Sequence, residues 1–307
     1  MSYDRSRSDR CDFRPAAVPR LPFSLGGARR ILISITGADD LHKVVVMNPK
    51  GGCGKTTLAT NLAGWLALRG PPPTLVDCDS QGFCTRWIEN RASHRPKVHG
   101  LVAGPLTARS TIEVPAESSV VIVDLPAAIT GEQLHAFVYL ADSLLLPVTP
   151  SDIDVYSATR FIAELLLDAQ LDRSEQRVGI VANRVRERTR SFSMLMRFLG
   201  SLRIPLIGTL RDSQNFVQAA AQGLSVCELP PYRVQEDLPA LDAIGGWLQR
   251  RRAMSRSQRD ALIAKTAYRY AEARGFVGGD PAADWRRAEE EVDGAGTGET
   301  APVAAGQ

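Results

Sequence analysis

Lys50-Gly51-Gly52-Cys53-Gly54-Lys55-Thr56-Thr57 is the stretch whose reading decides the fold. An apolar run, Val44-Val45-Val46-Met47, leads into it, and a helical pattern over residues 58–68 leads out. Strand, glycine-rich turn and helix in that order make a phosphate cradle. The glycines let backbone amides converge on an anion, and the helix start adds the positive end of its dipole. Such a cradle uses the amides of Gly51, Gly52, Cys53, Gly54 and Thr57. Lys55 reaches the β- and γ-phosphates of a nucleoside triphosphate, and the Thr56 hydroxyl holds Mg2+.

The strict pattern G-x-x-x-x-G-K-[ST] requires glycine at position 49, where this chain has Pro49. It carries instead a second lysine, Lys50, five residues before Lys55. The form K-G-G-x-G-K-T-T resembles the deviant phosphate loop of the ParA/MinD superfamily of ATPases. That resemblance implies that Lys50 reaches across a nucleotide-sandwiched dimer to the partner's ATP.

Composition sets the frame. With 307 residues and 44% hydrophobic content, the chain suits one α/β domain of roughly 200–250 residues plus appendages. No run reaches the roughly 18 apolar residues of a membrane span. The first 30 residues carry seven Arg and three Asp without an apolar core, which excludes a secretory signal. Five cysteines without a C-x-x-C pair predict reduced thiols and a cytoplasmic protein. A net charge of only +3 means that nucleic-acid binding would need a local patch.

The expected architecture is α/β: a doubly wound, mostly parallel sheet with helices on both faces, as in phosphate-loop NTPases, plus a short C-terminal helical appendage. Residues 1–40 read as a disordered basic extension, with 31–35 a possible short strand. The ATPase domain is expected over 41–252. Residues 256–292 resemble a small bacterial helical module of unknown function, read as helices 256–274 and 281–292. The acidic, Gly/Ala-rich stretch 293–307 reads as a disordered tail.

Further motifs follow the loop. Thr74-Leu75-Val76-Asp77-Cys78-Asp79-Ser80-Gln81-Gly82 reads as a strand ending in two carboxylates, and two acids at spacing two on a strand point the same way. It resembles the family's switch I, D-x-D-P-Q-G, with Ser80 at the usual proline. The resemblance implies that Asp79 orients the attacking water and that Asp77 lies near Mg2+. Ser119-Val120-Val121-Ile122-Val123-Asp124 reads as a strand buried on both faces. Asp124 stands at its C-terminal end, where ligands bind in open α/β sheets. It resembles a Walker B acid holding Mg2+, followed by a switch II-like Leu125-Pro126-Ala127-Ala128.

Thr149-Pro150-Ser151-Asp152-Ile153-Asp154 fits V-x-P-S-x-x-D before a long helix, as in small plasmid-partition ATPases, whose corresponding region lies at the dimer face. Asp152 reads equally well as a helix cap or first-turn acid. Asn183, after strand 177–182, resembles the family's adenine-contacting residue. Between Arg184 and Arg211 stand seven arginines and one acid, Glu187. Such a cluster is the electrostatic footprint of phosphate-backbone binding, and Arg184, Arg186, Arg188, Arg190 and Arg211 are the expected DNA contacts. A solvated arginine-rich helix face is the alternative. Phe216, Ala219, Gly223, Ser225, Val226 and Glu228 resemble a further family signature, whose following loop, 229–234, packs against adenine.

The resemblance implies ATP and Mg2+ as cofactors and a slow ATP hydrolase that forms a homodimer on ATP. It further implies non-specific double-stranded DNA and a ParB-like or cargo-adaptor activator as partners. The function would be partition or positioning of a plasmid, chromosome or protein cargo, in a cytoplasmic, nucleoid-associated setting without membrane insertion. Two alternatives stand beside it: a MinD-like spatial regulator, and a nucleotide-dependent scaffold without DNA binding.

Overall fold

The computed structural model describes residues 32–38, 40–103, 109–127, 129, 131–167, 177–186, 188–202, 204–276 and 280–295. Its centre is a sheet of seven strands, all pairing in parallel. β2 (His42–Val46) lies between β6 (Val120–Asp124) and β7 (Ser143–Val148). β3 (Thr74–Asp77) and β4 (His99–Val102) extend the sheet beyond β6, and β8 (Val178–Val185) and β9 (Leu206–Arg211) extend it beyond β7. Every residue of β6 and β7 is buried, as expected of parallel strands covered on both faces. The chain winds outward in both directions from β2. That switch point is where open α/β sheets bind ligands, beyond the C-terminal strand ends.

Side chains of β2 alternate between two cores. Val44 and Val46 pack with α1 (Lys55–Ala67), α2 (Phe83–Glu89), α6 (Gln214–Ala221) and α8 (Leu238–Ala273). Val45 and Met47 pack with α3 (Gly131–Leu140), α4 (Asp152–Leu167) and α5 (Arg190–Leu202). Period-two alternation on β2 thus produces a doubly wound, three-layered domain. Among the described residues, no helix is long and apolar enough to cross a membrane.

Three expectations are refined. First, the short strand read at 31–35 is present, so ordered structure begins before position 41. β1 (Leu32–Thr36) pairs in parallel with β5 (Arg109–Glu113) in a separate two-stranded sheet, and Ile35 joins the core. The β-branched run at 32–36 finds its partner 77 positions away, in a stretch whose own pattern is weak. Residues 1–31 and 296–307 lie outside the described residues. Second, the expected end of the ATPase domain at 252 falls inside one continuous helix, α8, of 36 residues, which merges with the helix expected at 256–274. No glycine or proline occurs between Gly246 and Gly275, so nothing stops it. It ends where Gly275 turns left-handed (φ 67°) and the Phe276 N–H donates to the Ala271 carbonyl (2.9 Å). α9 (Pro281–Ala295) folds back onto α8, with Ile263 and Ala288 buried. Third, residues 231–234 of the expected loop form a short helix, α7 (Pro231–Val234).

Candidate functional site

The phosphate loop sits where β2 meets α1, at the C-terminal end of the sheet. Gly52 and Gly54 are left-handed, with φ 77° and 94°, a conformation that costs glycine little. Gly54 is also crowded: a Cβ there would lie 1.9 Å from Asn183 Nδ2. Asn183, within β8 and 3% exposed, donates from Nδ2 to the Cys53 carbonyl at 2.7 Å. It therefore braces the loop from the neighbouring half of the sheet. Lys55 is buried at the start of α1, its Nζ 3.4 Å from the Lys50 carbonyl. Asn48 pins the loop entry, accepting from the Lys50 N–H (2.9 Å) and donating to the Pro147 carbonyl (2.7 Å).

Beside the loop, strand register aligns Asp77 with Asp124 on neighbouring β3 and β6. Both carboxylates are buried. Thr56 Oγ1 donates to Asp124 Oδ2 at 2.6 Å, and Cys84 Sγ, on the first turn of α2, donates to the same oxygen at 3.3 Å. Asp124 Oδ1 is buried without a hydrogen-bond partner among the described residues. Burial pushes the Asp124 pKa up to about 6; the bonds from Thr56 and Cys84 oppose this, Asp77 adds to it, and Lys55 opposes it. A buried carboxylate with an open oxygen, next to a threonine hydroxyl and a second acid, suits a hard divalent cation such as Mg2+. Asp77 is oriented by Thr85, whose N–H and hydroxyl donate to its Oδ2 at 2.8 and 2.9 Å.

Asp79 is not placed by strand alternation. β3 stops at Asp77, and Asp79 lies partly exposed in the following turn, its Oδ1 accepting from the Gln81 N–H at 3.0 Å. Lys50 is ion-paired in its own chain with Asp154, the last residue of the V-x-P-S-x-x-D motif. Asp154 lies in the first turn of α4, its N–H donating to Ser151 Oγ at 3.2 Å. The capping side chain is therefore Ser151, and the Asp152 side chain lies outside the described residues.

The block from Phe216 to Glu228 is a set of anchors for α1 and α2. Phe216, Ala219 and Val226 are core residues. Asn61 of α1 accepts from the Val226 N–H (2.8 Å) and the Ser225 hydroxyl (3.0 Å, on its carbonyl). Glu228 and Arg91 form a buried bidentate ion pair, with both contacts at 2.8 Å. Trp87 of α2 donates to the Leu224 carbonyl at 3.1 Å. None of Asn61, Arg91 and Cys84 stands out in sequence. Their partners lie 40 to 165 positions away.

The arginine cluster divides. Arg186 pairs with Asp212, and Arg211 pairs with Glu236 and Asp237, so these two spend their charge within the chain. Arg184, Arg188 and Arg190 are exposed, without an ion pair among the described residues. Arg184 is left-handed (φ 52°) at a bulge in β8, a device that re-aims side chains.

Residues 44–226 match the family described as CobQ/CobB/MinD/ParA nucleotide binding domain. The chain belongs to that family and is a ParA-type ATPase. Residues 258–294 match a separate domain described as a protein of unknown function, DUF2934. The chain is 27% identical over 191 residues to Maintenance of carboxysome distribution protein A of Halothiobacillus neapolitanus, covering 61% of this chain and 87% of that one. It is 39% identical over 112 residues to the protein of the same name from Gloeobacter kilaueensis, covering 36% of this chain and 51% of that relative. Among solved structures, a Cyanothece McdA(D38A)–ATP complex shares the fold, with TM-score 0.50 and 17% identity over 68% of this chain and 98% of that one.

Proposed function

We propose that this protein is an ATP-dependent positioning ATPase that works as a homodimer around two nucleotides. The observation that carries the reading is the division of two lysines in one phosphate loop. Lys55 is buried beneath the loop, where it serves the chain's own nucleotide. The Lys50 side chain stays 34% exposed at the outer lip. On dimerisation Lys50 exchanges the Asp154 carboxylate for a phosphate of the partner's ATP.

Thr56 and Asp124 hold Mg2+, with Asp77 close by, and Asp79 orients the attacking water. The described site offers no strong general base beside the loop, so positioning and electrostatics carry the chemistry and intrinsic turnover is slow. Asn183 keeps the loop in shape and faces the base side of the nucleotide. The exposed Arg184, Arg188 and Arg190 give the ATP dimer non-specific affinity for duplex DNA, which places it on the nucleoid in the cytoplasm. A ParB-like or cargo-adaptor partner stimulates hydrolysis and release. ATP then acts as a switch on DNA affinity. Likeness to carboxysome distribution proteins favours a protein cargo over a plasmid or chromosome.

The test is ATP-driven dimerisation followed by light scattering. Lys55→Ala is expected to lose ATP binding. Lys50→Ala is expected to keep ATP binding and stay monomeric. A Lys50→Ala protein that still dimerises on ATP removes the trans role of this lysine.

A further inference from the structure

We propose that Asp77, Cys84 and Asp124 form a binding site for a thiophilic divalent cation of the zinc class. The site overlaps the Mg2+ position, and that overlap, though not the site itself, rests on the nucleotide reading above. One donor atom from each of the three residues lies within 4.8 Å of the others. All three side chains are buried, at 2%, 1% and 1% exposure. They come from three elements, the ends of β3 and β6 and the first turn of α2, so the cluster is a product of the fold.

The donor set decides the class of cation. Mg2+ takes oxygen ligands in near-octahedral geometry and has no use for sulfur. Zinc takes thiolate and carboxylate together in four-coordinate sites, and three protein ligands leave a fourth position open. The Cys84 thiol hydrogen now points at Asp124 Oδ2, at an Sγ–Oδ2 distance of 3.3 Å. A cation replaces that proton between the same two atoms, and the proton leaves to solvent. The second Asp124 oxygen, Oδ1, is buried and unpartnered among the described residues, as an unused ligand would be. Asp77 is held by the two Thr85 bonds at 2.8 and 2.9 Å, the outer-shell support that aims a ligating carboxylate. Thr56 and Cys84 share one oxygen of Asp124. Zinc and Mg2+ therefore compete for it, and zinc acts as a brake on the ATPase.

Cobalt(II) added to the full chain without nucleotide tests the site. The expected result is a thiolate-to-cobalt charge-transfer band in the near ultraviolet, removed by zinc and diminished by Mg2+ with ATP. Cys84→Ala is expected to lose the band and to weaken zinc binding by at least about 100-fold, the upper end of what outer-shell changes cost. Cys84→Ser serves if the alanine variant misfolds by circular dichroism. A parent chain without the band, or a band of full strength without Cys84, overturns the site. Fluorescent ATP binding with Mg2+ on the same samples separates the two readings: a missing band with intact ATP binding defeats the zinc site alone. A band without ATP binding defeats the nucleotide reading alone.

Discussion

On the face carrying α1, α2, α6 and α8, polar side chains tie the elements across long sequence separations. Asn61 meets Ser225 and Val226, Arg91 meets Glu228, Trp87 meets Leu224, and Trp65 donates to Asp242 at 2.7 Å. The opposite face, with α3, α4 and α5, packs mainly through Phe137, Phe161, Ile162, Leu195 and Leu199. A long-range polar tie there comes from Arg177, which donates to the Val138 and Ala141 carbonyls at 2.6 and 2.9 Å. Directional bonds hold one geometry, whereas apolar packing tolerates any side chain of suitable volume. The face that must aim the phosphate loop and the switch acids is the one built from directional bonds.

The largest expected effect attacks that difference directly. Arg91→Ala leaves Glu228 buried without its cation and should cost about 3–5 kcal/mol. Leu195→Ala on the other face should cost about 2–5 kcal/mol through its cavity. Urea unfolding measures both losses, and ATP titration of the folded proteins tells the faces apart. Arg91→Ala should weaken ATP binding, while Leu195→Ala should leave it within about twofold. Equal losses of affinity would erase the contrast.

A second effect belongs to the end of β2 remote from the loop. Burial lowers the His42 pKa from 6.5 to about 4, partly opposed by Asp142 and reinforced by Arg252, Arg251 and Lys43. Its ring bonds Ser143 Oγ at 3.0 Å. Well above pH 6.5 the ring is neutral in both states and contributes no pH dependence. As pH falls toward 4, the unfolded chain takes a proton that the folded chain refuses, and stability declines by up to roughly 3 kcal/mol. Urea midpoints at pH 7 and 4.5 should show this decline in the parent and a flatter one in His42→Gln. Parallel curves would remove His42 as its source.

The smallest effect concerns the surface. Changing Arg184, Arg188 and Arg190 together to Ala should weaken binding to any duplex and lower the salt slope by up to about 3. Unaltered affinity would move the DNA surface elsewhere. Arg186→Ala and Arg211→Ala should matter less, since acids of the same chain already neutralise them.

The sequence by itself determined the phosphate loop, the buried strand at 120–124 and the helix that follows the loop. Each is a local pattern: glycines beside a lysine, unbroken β-branched or aliphatic runs, helical spacing after a turn. The pattern was silent on β4 and β5, whose residues carry little periodicity, and so left β1 without a partner. It also divided α8 at a change of composition that the backbone ignores. Only the tertiary structure brought Thr56, Asp77, Cys84 and Asp124 to one point, seated Asn183 against Cys53, paired Lys50 with Asp154, and withdrew Arg186 and Arg211 from the exposed cluster. Those outcomes depend on the register of parallel strands joined by helical crossovers. No spacing along the chain records which distant side chains that register makes neighbours.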